Sequence, residues 1–332
     1  MRPLLAICFL ALGLVFFGPV GLGSDTIPPT SAATISPEPN EFGWNNTPVF
    51  VLITATDDAS GVGEIRYRLD GGPEMVVPGA SATVEVSGEG RHTLEFWAVD
   101  RAGNEEPHHL LPVWIDLTPP KILVRSPTEG ARYILHQRVI ADWFAFDRLS
   151  GILDVEAPAR SGEPLDTSRA GMRTFTVRAL DRAGNAVVVE VEYRVLYIIE
   201  AKGPKGFFLD RLLPEKERKL QGKLPLMARY RVGEGIVVSF SLYDVGHNPM
   251  TTARPNLMVT QVTFEDGKEH HTIWTLFLPI PYDAETGQYR LIYPTEGREP
   301  GIYDLWISFG DGQHQRIRIA LLPPEGEHEG SG

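Results

Sequence analysis

The hexapeptide VDRAGN (Val99–Asn104) returns 81 positions later as LDRAGN (Leu180–Asn185), with five of six residues unchanged. Two further marks precede each copy in the same order. DTIPP (Asp25–Pro29) matches DLTPP (Asp116–Pro120), and ATDDASGV (Ala55–Val62) matches AFDRLSGI (Ala145–Ile152). Three marks in one order, twice, indicate two copies of one structural unit. Asp, Gly and Asn in so short a cluster suit a tight turn, and they also offer hard oxygen ligands.

The residues around these marks alternate. Val49, Val51, Ile53 and Ala55 fall on one face before the second mark, as do Val139, Ala141, Trp143 and Ala145 in the second copy. Leu94, Phe96 and Ala98 precede the first hexapeptide, and Phe175, Val177 and Ala179 the second. A period of two with one apolar face predicts antiparallel strands packed on one side. Arg68–Met75, with its Asp-Gly-Gly, reads as a hairpin. The whole chain of 332 residues, with 33 Gly and 27 Pro and no long amphipathic helical pattern, is expected to be all-β with several domains.

Residues 202–231 break the pattern. They hold nine Lys or Arg against three acids, and read as a linking segment over 198–230, either a basic docking patch or a solvated connector. Six strand-like stretches follow, within Gly235–Asp244, Asn256–Phe264, His271–Leu278, Gln288–Pro294, Gly301–Phe309 and Gln315–Leu322. They predict a third sandwich. Tyr303, near the start of a late strand, fits a stabilising tyrosine corner.

The first 23 residues read as a targeting segment, with Arg2, an apolar run Leu4–Phe17 and small residues before Ser24. Cleavage after Gly23 is one reading; an uncleaved anchor that engages the membrane is the other. Cys8, the one cysteine, lies inside this segment, so the rest of the chain has no disulfide and no thiol nucleophile. The net charge of -12 argues against a nucleic-acid partner. No GxSxG, HExxH or P-loop occurs, and no enzyme is expected.

The residues DTIPPT, ATDDASGV, YRLDGG and GEGRHTLEFWAVDRAGN resemble the bacterial immunoglobulin-like (Ig-like) repeats of exported and surface-attached proteins. The second unit, with SPTEGARY, DRLSGI and LDRAGN, is similar to a related variety. The third resembles the Ig-like domain that often closes such chains, but departs from it at Val237–Phe240. The resemblance implies three tandem Ig-like sandwiches at 24–116, 117–197 and 231–323, a flexible tail at 324–332, and an extracellular or cell-surface address. It implies an adhesive or structural spacer whose partner is a surface protein or a glycan. The alternative is a carbohydrate-binding accessory module that reads sugar through Trp274 or Trp306.

In such a sandwich the second and sixth strands finish at the end where the chain enters. Asp25, Asp57 or Asp58, and Asp100 are expected to gather at the pole of the first domain. Asp116, Asp147 and Asp181 are expected at the pole of the second. Carboxylates and carbonyls suit calcium, with Asn104 and Asn185 as further oxygen donors. The resembled families include giant adhesins whose Ig-like junctions hold calcium through such aspartates. The competing reading makes these aspartates Asx-turn formers. The adjacent pairs His108–His109 and His270–His271 point to opposite faces and cannot chelate one metal as pairs. Trp97, opposite Phe96, is expected on the surface.

Overall fold

Val49, Val51, Ile53 and Ala55 are each 7% exposed or less, while the residues between them face outward. That alternation is the rule over much of the computed structural model, which describes residues 25–203 and 208–325. The expected targeting segment, and the expected tail beyond Glu325, lie outside the described residues. The chain divides into two compact units. One is Met1–Thr118 with Arg182–Asn185; the other is Pro119–Asp181 with Ala186–Gly332.

The first unit holds β1 (Thr30–Ser36), β2 (Trp44–Asn45), β3 (Val49–Thr56), β4 (Val62–Leu69), β5 (Met75–Pro78), β6 (Ser81–Val86), β7 (Gly90–Asp100) and β8 (His109–Ile115). One sheet runs β1-β3-β6 and the other β2-β8-β7-β4-β5. With β1, β3 and β6 in one sheet facing β8, β7, β4 and β5 in the other across a shared core, the strand order is that of the Ig-like sandwich. In the five-residue connection between β4 and β5, Asp70 and Gly71, with φ of 54° and 67°, are the central residues of a tight turn closed by Gly72 N–H donating to Leu69 O at 2.9 Å. Both central residues lie in the left-handed region, which gives the twist a hairpin needs. The hexapeptide Val99–Asn104 begins at the end of β7 and makes the turn toward β8.

The second unit contains two sandwiches. The first has β9 (Lys121–Ser126), β10 (Ala131–Ile134), β11 (Asp142–Phe146), β12 (Ile152–Glu156), β13 (Gly171–Asp181) and β14 (Ala186–Leu196). Its sheets are β11-β9 and β10-β14-β13-β12. An irregular segment borders the small sheet: Gly162 N–H donates to Ala141 O and Leu165 N–H to Val139 O, each at 2.8 Å.

The last sandwich has β15 (Ile198–Ala201), β16 (Leu220–Gln221), β17 (Leu224–Arg231), β18 (Ile236–Tyr243), β19 (Asn256–Glu265), β20 (Lys268–Pro279), β21 (Tyr282–Asp283), β22 (Gln288–Tyr293), β23 (Gly301–Ser308) and β24 (His314–Leu322). Its sheets are β15-β18-β22-β21 and β16-β17-β24-β23-β19-β20. Phe240, Tyr289, Tyr303, Leu305 and Ile319 meet between them, each 1% exposed or less. Each such side chain contributes about 1.5–3 kcal/mol on burial.

The expected connector 198–230 is corrected here. β15 pairs antiparallel with β18, and β17 lies parallel to β24. The segment is therefore part of the third sandwich. Its strands were hidden because Leu224–Arg231 follows a charged stretch and its partner β24 lies far away in sequence. Several of its cations are locally occupied: Arg229 faces Glu217, Arg211 faces Glu234, and Arg218 Nε donates to Leu213 O.

Nor is there a free linker between the last two sandwiches. Only Tyr197 separates β14 from β15, and it packs against both cores, as does Met250. Asp311 accepts from Tyr197 N–H at 2.8 Å, and Gln313 Nε2 donates to Tyr197 O at 2.9 Å. Val245 N–H donates to Leu135 O at 3.0 Å.

Candidate metal centre

β1 is preceded by Asp25, β3 is followed by Asp57, and β7 ends on Asp100. The topology brings all three to one pole of the first unit, where one oxygen from each lies within 4.8 Å of the others. Asp57 takes the place in this group, not Asp58. The backbone explains how three carboxylates stand so close. Asp25 Oδ2 accepts from Ser60 N–H at 2.9 Å and its Oδ1 from Ile27 N–H at 3.1 Å. Asp57 Oδ2 accepts from Ala59 N–H and Gly61 N–H, at 3.1 and 2.6 Å. Asp100 Oδ1 accepts from Asn104 N–H at 2.8 Å, and its Oδ2 from Asn104 Nδ2 at 2.6 Å. Asn104 Nδ2 also donates to Asp25 O at 3.1 Å, which ties the entering chain to the hexapeptide turn.

These donors favour the charged forms. The Ser60 side chain beside it, then the N–H groups of Ile27 and Ser60, hold Asp25 below the ordinary carboxylate range. Burial alone would raise Asp100, but the Asn104 donors outweigh it and the group is lowered. Asp25 and Asp100 are therefore ionised at neutral pH. The Asx-turn role expected of these residues is present in full. It leaves two buried atoms without a hydrogen-bond partner, Asp57 Oδ1 and Ser60 Oγ.

The second copy repeats the local geometry. Asp147 Oδ1 accepts from Leu149 N–H at 3.0 Å and Gly151 N–H at 2.7 Å. Asp147 and Asp181, both in the second unit, bring oxygens within 4.8 Å of each other. Asp116 belongs to the first unit and is fully buried. Asn185 Nδ2 donates to Asp116 O at 2.8 Å, as Asn104 does to Asp25.

The third sandwich carries a counterpart that sequence reasoning missed. Asp244 follows β18 as Asp57 follows β3, and Asp311 lies in the turn from β23 to β24 as the hexapeptide makes the turn from β7 toward β8. Here the carboxylates are met by protein donors. Asp244 Oδ1 accepts from Asn248 N–H at 2.8 Å, and Asp244 Oδ2 lies 2.9 Å from His136 Nδ1. His136 is the largest cause, followed by Asn248, of a strong lowering of Asp244. The signal was available: Asp244 to Asn248 has the same spacing as Asp100 to Asn104.

The other candidates resolve into packing. Trp97, expected on the surface, is 1% exposed. His108 stacks on it at 3.8 Å, and the Arg68 guanidinium sits 5.0 Å from the ring centre. Glu95 lies within ion-pair distance of both covering residues. Periodicity placed Trp97 on the outer face correctly, but long polar side chains roof that face. Trp143 is partly buried, with its Nε1 donating to Ala159 O at 2.9 Å. Trp274 and Trp306 have arginines over their rings, Arg298 at 4.9 Å and Arg316 at 4.5 Å. Tyr303 hydroxyl donates to Glu299 O at 2.8 Å, the expected corner.

No protein-family model matches the sequence, and no curated protein matches it. Among solved structures, a tetra-tandem repeat in the extending region of a large adhesion protein is similar at 16% identity, covering 89% of this chain and 75% of that one, with a TM-score of 0.32. The fibronectin(III)-like modules of Clostridium thermocellum CbhA are similar at 16% identity, covering 49% and 94%, with a TM-score of 0.26. A carbohydrate-binding module of the β-sandwich superfamily is similar at 10% identity, covering 90% and 94%, with a TM-score of 0.25. Scores this low carry no argument. The Ig-like assignment rests on the strand order.

Proposed function

We propose that the chain is an exported, non-catalytic spacer that presents a binding face at a cell surface. The observation that carries this is the sharing of Tyr197 by two cores. A spacer needs joints that do not swing, and a single residue fixed from both sides is such a joint. Calcium is part of the proposal. Asp25, Asp57 and Asp100 supply hard oxygens at one pole, and the orphaned Asp57 Oδ1 is a vacant donor of the right kind. The repeat extends the same role to Asp147 and Asp181 of the second copy. When bound, the ion neutralises like charges that otherwise repel; the chain's own N–H donors only orient them.

Two measurements test the spacer reading. Protease treatment of intact producing cells should release peptides of this chain, and full protection would overturn export. Calorimetric melting should give one transition for the second and third sandwiches together. Separate transitions, both unchanged by Tyr197→Ser, would overturn the fixed joint.

A further inference from the structure

A groove of about 390 Å³ on the third sandwich has features the fold does not use. Phe277 lies at its edge, 68% exposed and with φ of 49°. A bulky side chain in the left-handed region is an outlier. Such strain persists where the surroundings enforce it, and it concentrates at ligand clamps. The core does not need this ring, since it points to solvent. β20 is an edge strand whose pairing with β19 shifts register between Leu257 and Thr260, which re-aims its side chains.

Tyr289 lines the same groove. It is 1% exposed, and its hydroxyl has no hydrogen-bond partner, although the Ala253 N–H is nearby. Burial pushes this phenol up to about 12, so it stays protonated and can donate. Arg254 lines the groove too, is exposed, and makes no ion pair among the described residues. In a chain of net charge -12, a free guanidinium beside an aromatic platform is notable for what it would attract. The walls are preformed: Ile280 N–H donates to Pro255 O, and Arg290 N–H to Pro281 O, both at 3.0 Å.

We propose that this groove binds an acidic sugar residue of a polysaccharide. The apolar C–H face of the pyranose stacks on Phe277, its carboxylate pairs with Arg254, and a ring hydroxyl meets the Tyr289 hydroxyl. An apolar peptide side chain would leave both polar groups unmet, and burying them unpaired is unfavourable. A neutral sugar would satisfy Tyr289 but not Arg254. The proposal is independent of export and of calcium.

The test uses the full chain with a chelator present, so that calcium cannot bridge uronates. Tetragalacturonate and its neutral methyl ester, the same sugar and linkage without the charge, are titrated by calorimetry. Tetragalacturonate should bind at least about tenfold tighter than the neutral oligomer. Phe277→Gly should weaken it by about tenfold or more while melting no lower than the parent, since glycine relieves the left-handed strain. Arg254→Gln should bring the acidic oligomer down to the neutral level. Absence of saturable binding by either oligomer would overturn the proposal. So would binding indifferent to Phe277→Gly, or an acid preference that survives Arg254→Gln.

Discussion

Arg318→Met should be among the most damaging single substitutions in the third sandwich. Arg318 is fully buried on the outer face of the six-stranded sheet. Its Nε and Nη2 donate to Asp304, at 2.7 and 2.8 Å, and its Nη1 donates to Glu269 at 2.8 Å and to the Gln221 carbonyl. Lys223 N–H donates to Glu269 as well, so the β16–β17 hairpin closes the network. Methionine keeps the stem and removes every donor. Removing one partner of a buried charge pair costs about 3–5 kcal/mol. Asp304 is itself fully buried but keeps Arg316, whose Nε donates at 2.8 Å, so a cost of about 3 kcal/mol is expected.

Urea denaturation followed by tryptophan fluorescence reads this directly, because Trp274 and Trp306 lie in the same sandwich. In the Arg318→Met background, Asp304→Asn should cost clearly less than it does alone, since the charge it removes is already half stranded. The pH dependence has a definite sign. Arg318 is the main cause holding Glu269 at about 2, against an ordinary 4.5. The network's contribution is complete above about 4.5 and is lost as pH falls toward 2. Arg318→Met should flatten that limb. A loss below about 1 kcal/mol would refute the reasoning, for it would mean that water reaches the network.

Glu106→Ala should destabilise the first sandwich by about 2–3 kcal/mol in urea, because this buried carboxylate accepts from Ser31 N–H at 2.9 Å, Ala98 N–H at 2.7 Å and the Ser31 hydroxyl. Tyr303→Phe removes the corner bond to Glu299 O and should cost about 1 kcal/mol by the same assay. His108→Ala should unroof Trp97, read as a red-shifted emission and faster quenching by iodide, with the strand content by circular dichroism unchanged.

The alternating faces made most of the fold legible. Leu94, Phe96 and Ala98, and Phe175, Val177 and Ala179, are buried as their period required, at 5% exposed or less. All six strands expected in the third sandwich are present. What failed was long-range cover. Arg316 and Arg318 alternate with the core residues Ile317 and Ile319 and face outward. Nothing local to Gln315–Leu322 says that a hairpin 97 residues before Arg318 closes over it. Trp97 failed for the same reason, since its roof comes from Arg68 and His108 on other elements. The poles were legible because the repeat marks chain entry, the end of the second strand and the sixth-strand turn together. The donors that replace a third carboxylate in the last sandwich were not, because His136 comes from another domain and Tyr197 acts through its backbone.

Calcium binding by the full chain, with melting measured in calcium and in chelator, tests the account most directly. The account predicts saturable binding and a higher melting temperature in calcium. Asp57→Asn should weaken the site of the first unit, and Asp147→Asn should weaken the second independently. Identical melting curves in calcium and chelator, with no heat of binding, would contradict it and leave these aspartates as turn formers alone.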